Sequence, residues 1–308
     1  MIRIGVDLGG TKTEIIALDE AGKELVRRRV RTPTHDYEEI IDQITSLVIR
    51  LEDDIGRKGT VGIGTPGALS RATGLLKNSN SVCLNGRPIL ADLEGRLQRT
   101  IRISNDANCF ALSEAIDGAG AGASVVFGVI VGTGTGGGIV VNGSVLTGPN
   151  GIAGEWGHNP LPWPRDDERP GPPCYCGRYG CIETFLSGPG MARDHEAANG
   201  MGLAPRAIVD GARSGDKACA ETLQRYADRM ARSLAHVINI LDPDVIVLGG
   251  GMSNIEELYT RVPSLWVPYV FSDRVDTKLC KAVHGDSSGV RGAAWLWPVT
   301  SIPRSGAV

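Results

Sequence analysis

The sequence predicts an α/β protein in two halves, each opening on a buried strand that runs into a glycine loop. Three observations carry this. Short apolar runs end in glycine at Ile2–Asp7 and again at Val125–Val131, and amphipathic helical stripes alternate with further short apolar runs. Glycine supplies 42 of 308 residues, about twice the roughly 7% of ordinary usage. The glycines keep no fixed period and cluster at the ends of apolar runs, where α/β proteins bring backbone amides to phosphate.

In chain order, Ile2–Asp7 reads as a strand, Thr13–Leu18 as a second after a Gly-Gly-Thr-Lys turn, and Lys23–Val30 as a third. Asp36–Ile55 is the clearest helix. Ile40, Ile41, Ile44, Leu47, Val48, Leu51 and Ile55 recur at spacings of three and four, and Asp36 with Glu39 resembles a capping box. Val61–Gly64 is a short strand ending in Thr65-Pro66-Gly67. Ile101–Ser104 is another, feeding Asn105-Asp106-Ala107-Asn108 and a helix to Ile116, with Gly118 as its C-terminal cap. A small-residue link, Gly118–Ala123, separates a first unit (1–118) from a second (119–287).

The second unit runs from strand Val125–Val131 through a glycine loop, a hairpin and the segment Pro160–Pro173, with six prolines. Ala218–Leu241 reads as a long helix with Leu223, Tyr226, Met230, Leu234, Val237, Ile238 and Leu241 on one side. Strand Val245–Leu248 leads to Gly249-Gly250-Gly251, and Ser253 with Glu256 reads as a capping box opening a further helix. Ser288–Trp297 reads as a last helix. No repeat of solenoid period is present.

Composition excludes several classes. With 42% hydrophobic and 22% charged residues, wholesale disorder is ruled out. A net charge of −3 argues against a nucleic-acid partner or an anionic membrane. Aromatic content of 5% excludes a large aromatic binding platform. The basic run Arg27–Arg29 with Arg31 reads as a solvated strand end. No apolar run approaches the roughly 18 residues of a membrane span, and the start lacks a signal-peptide core, so a cytoplasmic protein is expected. Its seven cysteines are then expected to be reduced or metal-bound. Cys83, Cys109, Cys219 and Cys280 are scattered, as buried small hydrophobes are.

Gly132-Thr133-Gly134-Thr135-Gly136-Gly137 formally matches a dinucleotide fingerprint, with Glu155 downstream. That fingerprint requires a helix next. Here Ile139–Val141, Asn142-Gly143 and Val145-Leu146 follow, which is a type I′ hairpin signal. An NAD site is therefore rejected. The first loop, Asp7-Leu8-Gly9-Gly10-Thr11-Lys12-Thr13, likewise joins two strands and is not a Walker loop. Two hairpin turns bearing free amides, Thr hydroxyls and one Lys form a clamp for a polyphosphate. Asp7 at a strand end suits Mg2+ directly or through water.

Asn and Asp favour helix N-caps, which alone explains Asn105 and Asp106. Strand C-terminal ends also bind ligands in α/β sheets, and phosphoryl transfer needs one carboxylate to orient the hydroxyl and accept its proton. Cys174, Cys176 and Cys181 put three soft ligands on one loop, and His158, sixteen residues upstream of Cys174, is the candidate fourth for a structural Zn2+. A redox pair or a chance group of buried thiols are the alternatives. A metal there would fix Glu155 and Glu183, which bracket it, and leave one His158 ring nitrogen free for a ligand hydroxyl.

GVDLGGTKT, VGTGTGGG, LGGGMSN and HGDSSGVRGAAWLW, in that order, resemble the ROK family of sugar kinases. NSNSVCLNGRP, EWGHNPLPW and CYCGRYGCIETF are similar to its fructokinase (manno(fructo)kinase) branch. The resemblance covers the chain end to end. It implies a two-domain actin/hexokinase-like (ribonuclease H-like) ATPase fold with a cleft between domains, residues 288–308 packing back onto the first unit. It also implies ATP-dependent phosphorylation of a hexose, with fructose first at its carbon-6 hydroxyl, and glucose, mannose or an N-acetylhexosamine as alternatives.

By the same resemblance Asp106 is the catalytic base, and Asn105, Glu155, His158, Glu183 and Gly67 lie on the sugar. Asp7, Gly9, Gly10, Thr11, Lys12, Gly132, Thr133, Gly134, Gly249, Gly250 and Gly251 lie on ATP, and His158, Cys174, Cys176 and Cys181 hold Zn2+. A homodimer is the expected assembly. Some ROK proteins are sugar-responsive regulators. That reading needs an added DNA-binding domain, for which a first strand at Ile2 leaves no room.

Overall fold

The computed structural model describes residues 1–79, 81–285 and 288–298. In chain order its strands are β1 (Arg3–Leu8), β2 (Lys12–Leu18), β3 (Glu24–Arg31), β4 (Thr60–Thr65), β5 (Ala68–Leu69), β6 (Leu76–Lys77), β7 (Arg102–Asn105), β8 (Val125–Val131), β9 (Thr135–Val141), β10 (Ser144–Val145), β11 (Val245–Gly249) and β12 (Lys278–Lys281). The helices are α1 (Tyr37–Ile55), α2 (Ile89–Leu97), α3 (Asp106–Asp117), α4 (Ile182–Leu186), α5 (Gly188–Asn199), α6 (Pro205–Arg213), α7 (Lys217–Leu241), α8 (Leu258–Trp266) and α9 (Ser288–Trp295).

Two five-stranded sheets share one connectivity. The first runs β3-β2-β1-β4-β7 and the second β10-β9-β8-β11-β12. In each, the opening strand pairs antiparallel with its hairpin partner on one side and parallel with a later strand on the other. Both glycine loops therefore join antiparallel strands. Asn142 and Gly143 sit at φ 49° and 71°, the left-handed pair that a type I′ turn requires.

The stripe on α1 is buried on the first sheet with Ile2, Ile4, Val6 and Ile15, each large aliphatic side chain contributing about 1.5–3 kcal/mol. Asp36 caps α1 by accepting from the Glu38 and Glu39 amides. Leu223, Tyr226, Met230, Leu234 and Ile238 of α7 fill the second sheet's core. Arg27 and Arg29 of β3 pair with Glu14, and Arg28, on the opposite face of the strand, with Asp54, so the basic run is bound to carboxylates on both faces.

A third apolar cluster lies between the sheets, and α3 and α9 build it with residues of both. α3 lies against β8 and β9 of the second sheet, while α9 lies against β1 and β4 of the first. Glycine makes this closeness possible. A Cβ on Gly292 would fall 1.6 Å from the Cys109 carbonyl oxygen, and one on Gly62 would fall 1.9 Å from that of Ala293. These glycines thus serve helix contact, not phosphate.

Three local expectations change. Gly118 ends α3 at φ −113°, outside the left-handed region. It is there because a Cβ would lie 2.3 Å from Glu114 Oε2. Ser253 donates to the Gly250 carbonyl and caps nothing, and after Gly251–Asn254 forms a 3-10 turn the helix begins only at Leu258. The last helix stops at Trp295, and the expected return from residue 299 onward lies outside the described residues.

Candidate active site

Parallel pairing of β1, β4 and β7 brings their C-terminal ends side by side, Asp7 opposite Gly64 and Thr65 opposite Asn105. Asp106 follows as the first residue of α3. Asn105 is indeed the N-cap. Its Oδ1 accepts from the Asn108 amide at 2.9 Å, which turns Nδ2 into the donor left for a ligand. Asp106 is open to solvent but walled in by protein. That burial raises its pKa against the bond from the Ala107 amide. Burial, then the charges of Asp106 and Glu14, push Asp7 up to about 7, with Lys12 and Arg29 opposing. A buried acid raised by a neighbouring acid in this way attracts a cation.

The first loop is braced from the end of β3. Thr32 donates its hydroxyl to the Gly9 carbonyl at 2.8 Å and its amide to the Thr11 carbonyl at 3.1 Å. Gly9 closes the turn on the Lys12 carbonyl, where a Cβ would lie at 2.8 Å. Gly10, Thr11 and Lys12 are exposed. In the second loop Gly132 bonds Gly134 across Thr133, and Gly188 donates to the Gly132 carbonyl at 2.8 Å. Gly132 also faces Gly251, and Gly250, at φ 80°, passes over Val131. The third glycine run therefore adjoins the second loop, at the end of β11 and ahead of a 3-10 turn.

Glu155 immediately precedes, and His158 ends, a short turn whose Trp156 donates to the Gly136 carbonyl at 3.1 Å and packs edge-on against Phe127. Backbone bonds Leu161 to Gly180 and Ile182 to Asn159 then join this turn to Cys181 and to α4. Glu183, in the first turn of α4, accepts from the Thr135 amide at 2.9 Å. Burial raises the Glu155 pKa against the pull of His158, with Asp106 and Glu183 adding to the rise. The carboxylates of both halves thus act on one space.

The four metal-type ligand atoms of His158, Cys174, Cys176 and Cys181 lie within 4.8 Å of one another. Cys176 Sγ and Cys181 Sγ are 3.6 Å apart, and Cys174 Sγ is 3.5 Å from His158 Nδ1. A tetrahedral zinc with bonds of about 2.3 Å to sulfur and about 2.0 Å to nitrogen sets its ligands roughly 3.5–3.8 Å apart. The donor set fits that ion.

His158 does not keep its second ring nitrogen free, as the sequence suggested. Nε2 lies 2.9 Å from the Tyr175 hydroxyl. Gly67 answers a demand of the backbone, since at φ 83° its Cβ would strike the Lys77 carbonyl at 2.4 Å.

Three features escaped the sequence. Lys77, on two-residue β6, acts electrostatically on Glu155 and lines a concavity of about 530 Å3 with Asn78 and Asn85. The backbone amide of Thr135 holds Glu183. The proline-rich segment is anchored through Glu168, which accepts from Arg229 and Arg232 of α7 at 2.8 Å each. Burial alone would raise the Glu168 pKa, yet the arginines bring it to about 2. An acid so close to a Pro-Trp-Pro stretch gives no local sign of such partners.

Comparison with known proteins agrees with this geometry. An N-acetyl-D-glucosamine kinase of Pectobacterium atrosepticum is 41% identical over 300 residues, covering 95% of this chain and 97% of that protein. The ROK hexokinase of Thermus thermophilus superposes with a TM-score of 0.86 at 32% identity, covering 96% and 97% of the two chains. A ROK glucokinase of Streptomyces griseus, solved with glucose and AMPPNP, gives 0.74 at 28%, covering 96% and 98%. The ROK family pattern spans residues 3–300, and with the two hairpin loops and paired sheets above it, the chain belongs to the ROK family.

Proposed function

We propose that this protein transfers the γ-phosphoryl group of ATP to a hexose of the N-acetyl-D-glucosamine type. The observation that carries this is the meeting, on one space, of Asp7 and Asp106 from the first half with Glu155 and Glu183 from the second. The 41% identical relative named for N-acetyl-D-glucosamine supports that sugar over fructose, the reading the sequence motifs favoured.

Asp106 orients the carbon-6 hydroxyl and takes its proton. A carboxylate is a weak base, which suffices when the proton moves late in a loose transition state, and its raised pKa helps. Asn105 Nδ2, Glu155, His158 and Glu183 hold the other sugar hydroxyls by directional, charge-assisted bonds, beside Gly67. The amides of Gly9, Gly10, Thr11, Gly132, Thr133 and Gly134, with Lys12, take the phosphates from two sides. Gly249, Gly250 and Gly251 flank the adenosine.

Mg2+ at Asp7, directly or through water, supplies charge neutralisation on the phosphate oxygens. Zn2+ held by His158, Cys174, Cys176 and Cys181 supplies rigidity and no redox chemistry. Residues 1–118 with α9, and residues 119–287, act as two lobes whose closure keeps water from the phosphoryl group.

The test is a coupled assay across N-acetyl-D-glucosamine, N-acetylmannosamine, glucose, mannose and fructose. N-acetyl-D-glucosamine should give the highest kcat/KM. A higher value for fructose would return the assignment to that sugar, and no turnover with any of them would end the kinase reading.

A further inference from the structure

We propose that Tyr175 is a built-in occupant of the hexose site, its phenol holding the place on His158 Nε2 that a sugar hydroxyl must win. The inference rests on the reading of this cleft as a hexose site and adds a residue that sets its affinity.

The two nitrogens of His158 face different ways. Nδ1 turns toward the cysteines, 3.5 Å from Cys174 Sγ, and Nε2 toward the Tyr175 hydroxyl at 2.9 Å. When Nδ1 gives its lone pair to a metal, the neutral ring carries its proton on Nε2. Nε2 then donates, and the phenol oxygen accepts while keeping its own O–H to donate. That is the bonding pattern of a sugar hydroxyl set between an imidazole and a carboxylate. The charges of Glu183 and Glu155, the two acids assigned to the sugar, both reach the phenol, so it sits in the same electrostatic field as the hydroxyl it would stand in for.

The side chain is built to leave. Tyr175 is 84% exposed, and its ring meets the His158 ring edge-on, at 5.0 Å and 88°. Its backbone is fixed, because the Cys174 amide donates to the Arg178 carbonyl at 2.8 Å and the Gly177 amide to the Cys174 carbonyl at 3.0 Å. A fixed main chain with a ring held by one solvent-facing bond is a two-position element. The sugar's apparent affinity is its intrinsic affinity scaled by the fraction of molecules with the phenol swung away.

The experiment uses the zinc-loaded, full-length protein and Tyr175→Phe, which keeps the ring and its edge contact and deletes the hydroxyl. KM for the preferred hexose should fall about three- to tenfold, the range a single net hydrogen bond commands. kcat should stay within about twofold, with KM for ATP unmoved. The calorimetric Kd for the sugar without nucleotide should fall by the same factor. A KM that is unchanged or raised overturns the proposal, a raised value making the phenol a sugar contact instead. Independently of any substrate, the His158 Nε2–H resonance in 15N-histidine spectra should shift in the variant. No shift would refute the Tyr175–His158 contact itself, whereas a wild type inactive on every hexose would refute only the assignment of the cleft.

Discussion

The Thr135 backbone amide donates to Glu183 Oε2 at 2.9 Å, so one bond joins the second hairpin loop to the first turn of α4 and to the carboxylate proposed to hold the sugar. Gly134 leaves the room for it, since a Cβ there would lie 2.7 Å from the same oxygen. On the proposed assignment of the site, the two substrates would be coupled through Glu183. In Glu183→Gln the amide oxygen still accepts from Thr135 while the charge facing the sugar is gone. That variant should raise the sugar KM about tenfold or more and leave KM for ATP nearly unchanged. Glu183→Ala should raise both. Steady-state kinetics with each substrate varied decides it, and an unmoved ATP KM in the alanine variant would remove the coupling.

Asp106→Asn should lower kcat by about 10²–10⁴ while the calorimetric Kd for the sugar stays within about threefold. With Asp106 as the proposed base, its raised pKa should put the acid limb of kcat above the usual aspartate range. Activity should be lost as pH falls through that value, because the base is then protonated. A turnover loss below about tenfold would take Asp106 out of the base role.

Removing the proposed Zn2+ with a chelator, or changing Cys176 to Ser, should lower the melting temperature and weaken sugar binding together. His158 and Cys181 tie the turn carrying Glu155 to the helix carrying Glu183, through the backbone bond from Ile182 to Asn159. Differential scanning fluorimetry and calorimetry, run on the same samples, test this. Sugar affinity unchanged after chelation and in Cys176→Ser would overturn the positional role proposed for Zn2+.

His284 Nε2 lies 3.0 Å from Asp117 Oδ1, where α3 ends and the chain returns toward α9. The bond to Asp117 raises the His284 pKa against burial, and Asp117 and Glu114 raise it further while Arg291 opposes. Burial works against Asp117, but bonds from His284 and Arg291 hold its pKa below the ordinary value. The histidine's stabilisation is therefore full below its unfolded pKa of about 6.5 and is lost as pH rises through the raised folded value. The aspartate's is full above about 3.9 and is lost as pH falls through the lowered one. Melting temperature should decline as pH rises above about 6.5, and His284→Gln should flatten that decline. Parallel curves for the two proteins would show that the pair contributes nothing to it.

The fold was legible wherever one segment settles its own conformation. The Asn142-Gly143 turn revealed that the second glycine loop joins strands, and the apolar stripe between Ile40 and Leu51 located α1. The cysteine spacing brought out the ligand group at His158. What stayed hidden depends on partners distant in sequence. Nothing near Gly292, read as an ordinary helix position, or Gly62, read as an ordinary strand position, announces another chain segment passing within van der Waals reach. Gly118 looked like a left-handed cap and is instead a clearance for Glu114. Tyr175, between two ligand cysteines, carries no mark of where its phenol lands. Lys77 lies on a strand too short to show any alternation.

Because α3 covers the second sheet and α9 returns to the first, each half lends the other its closing helix. A gene cut at the link near residue 120 would yield an N-terminal piece with β1 and β4 stripped of their cover and α3 jutting into water. The C-terminal piece would carry the mirror defect, its α9 apolar face bare. Neither piece should fold alone. Co-expressed, they should reassemble into one soluble particle, since every missing surface of one is present on the other.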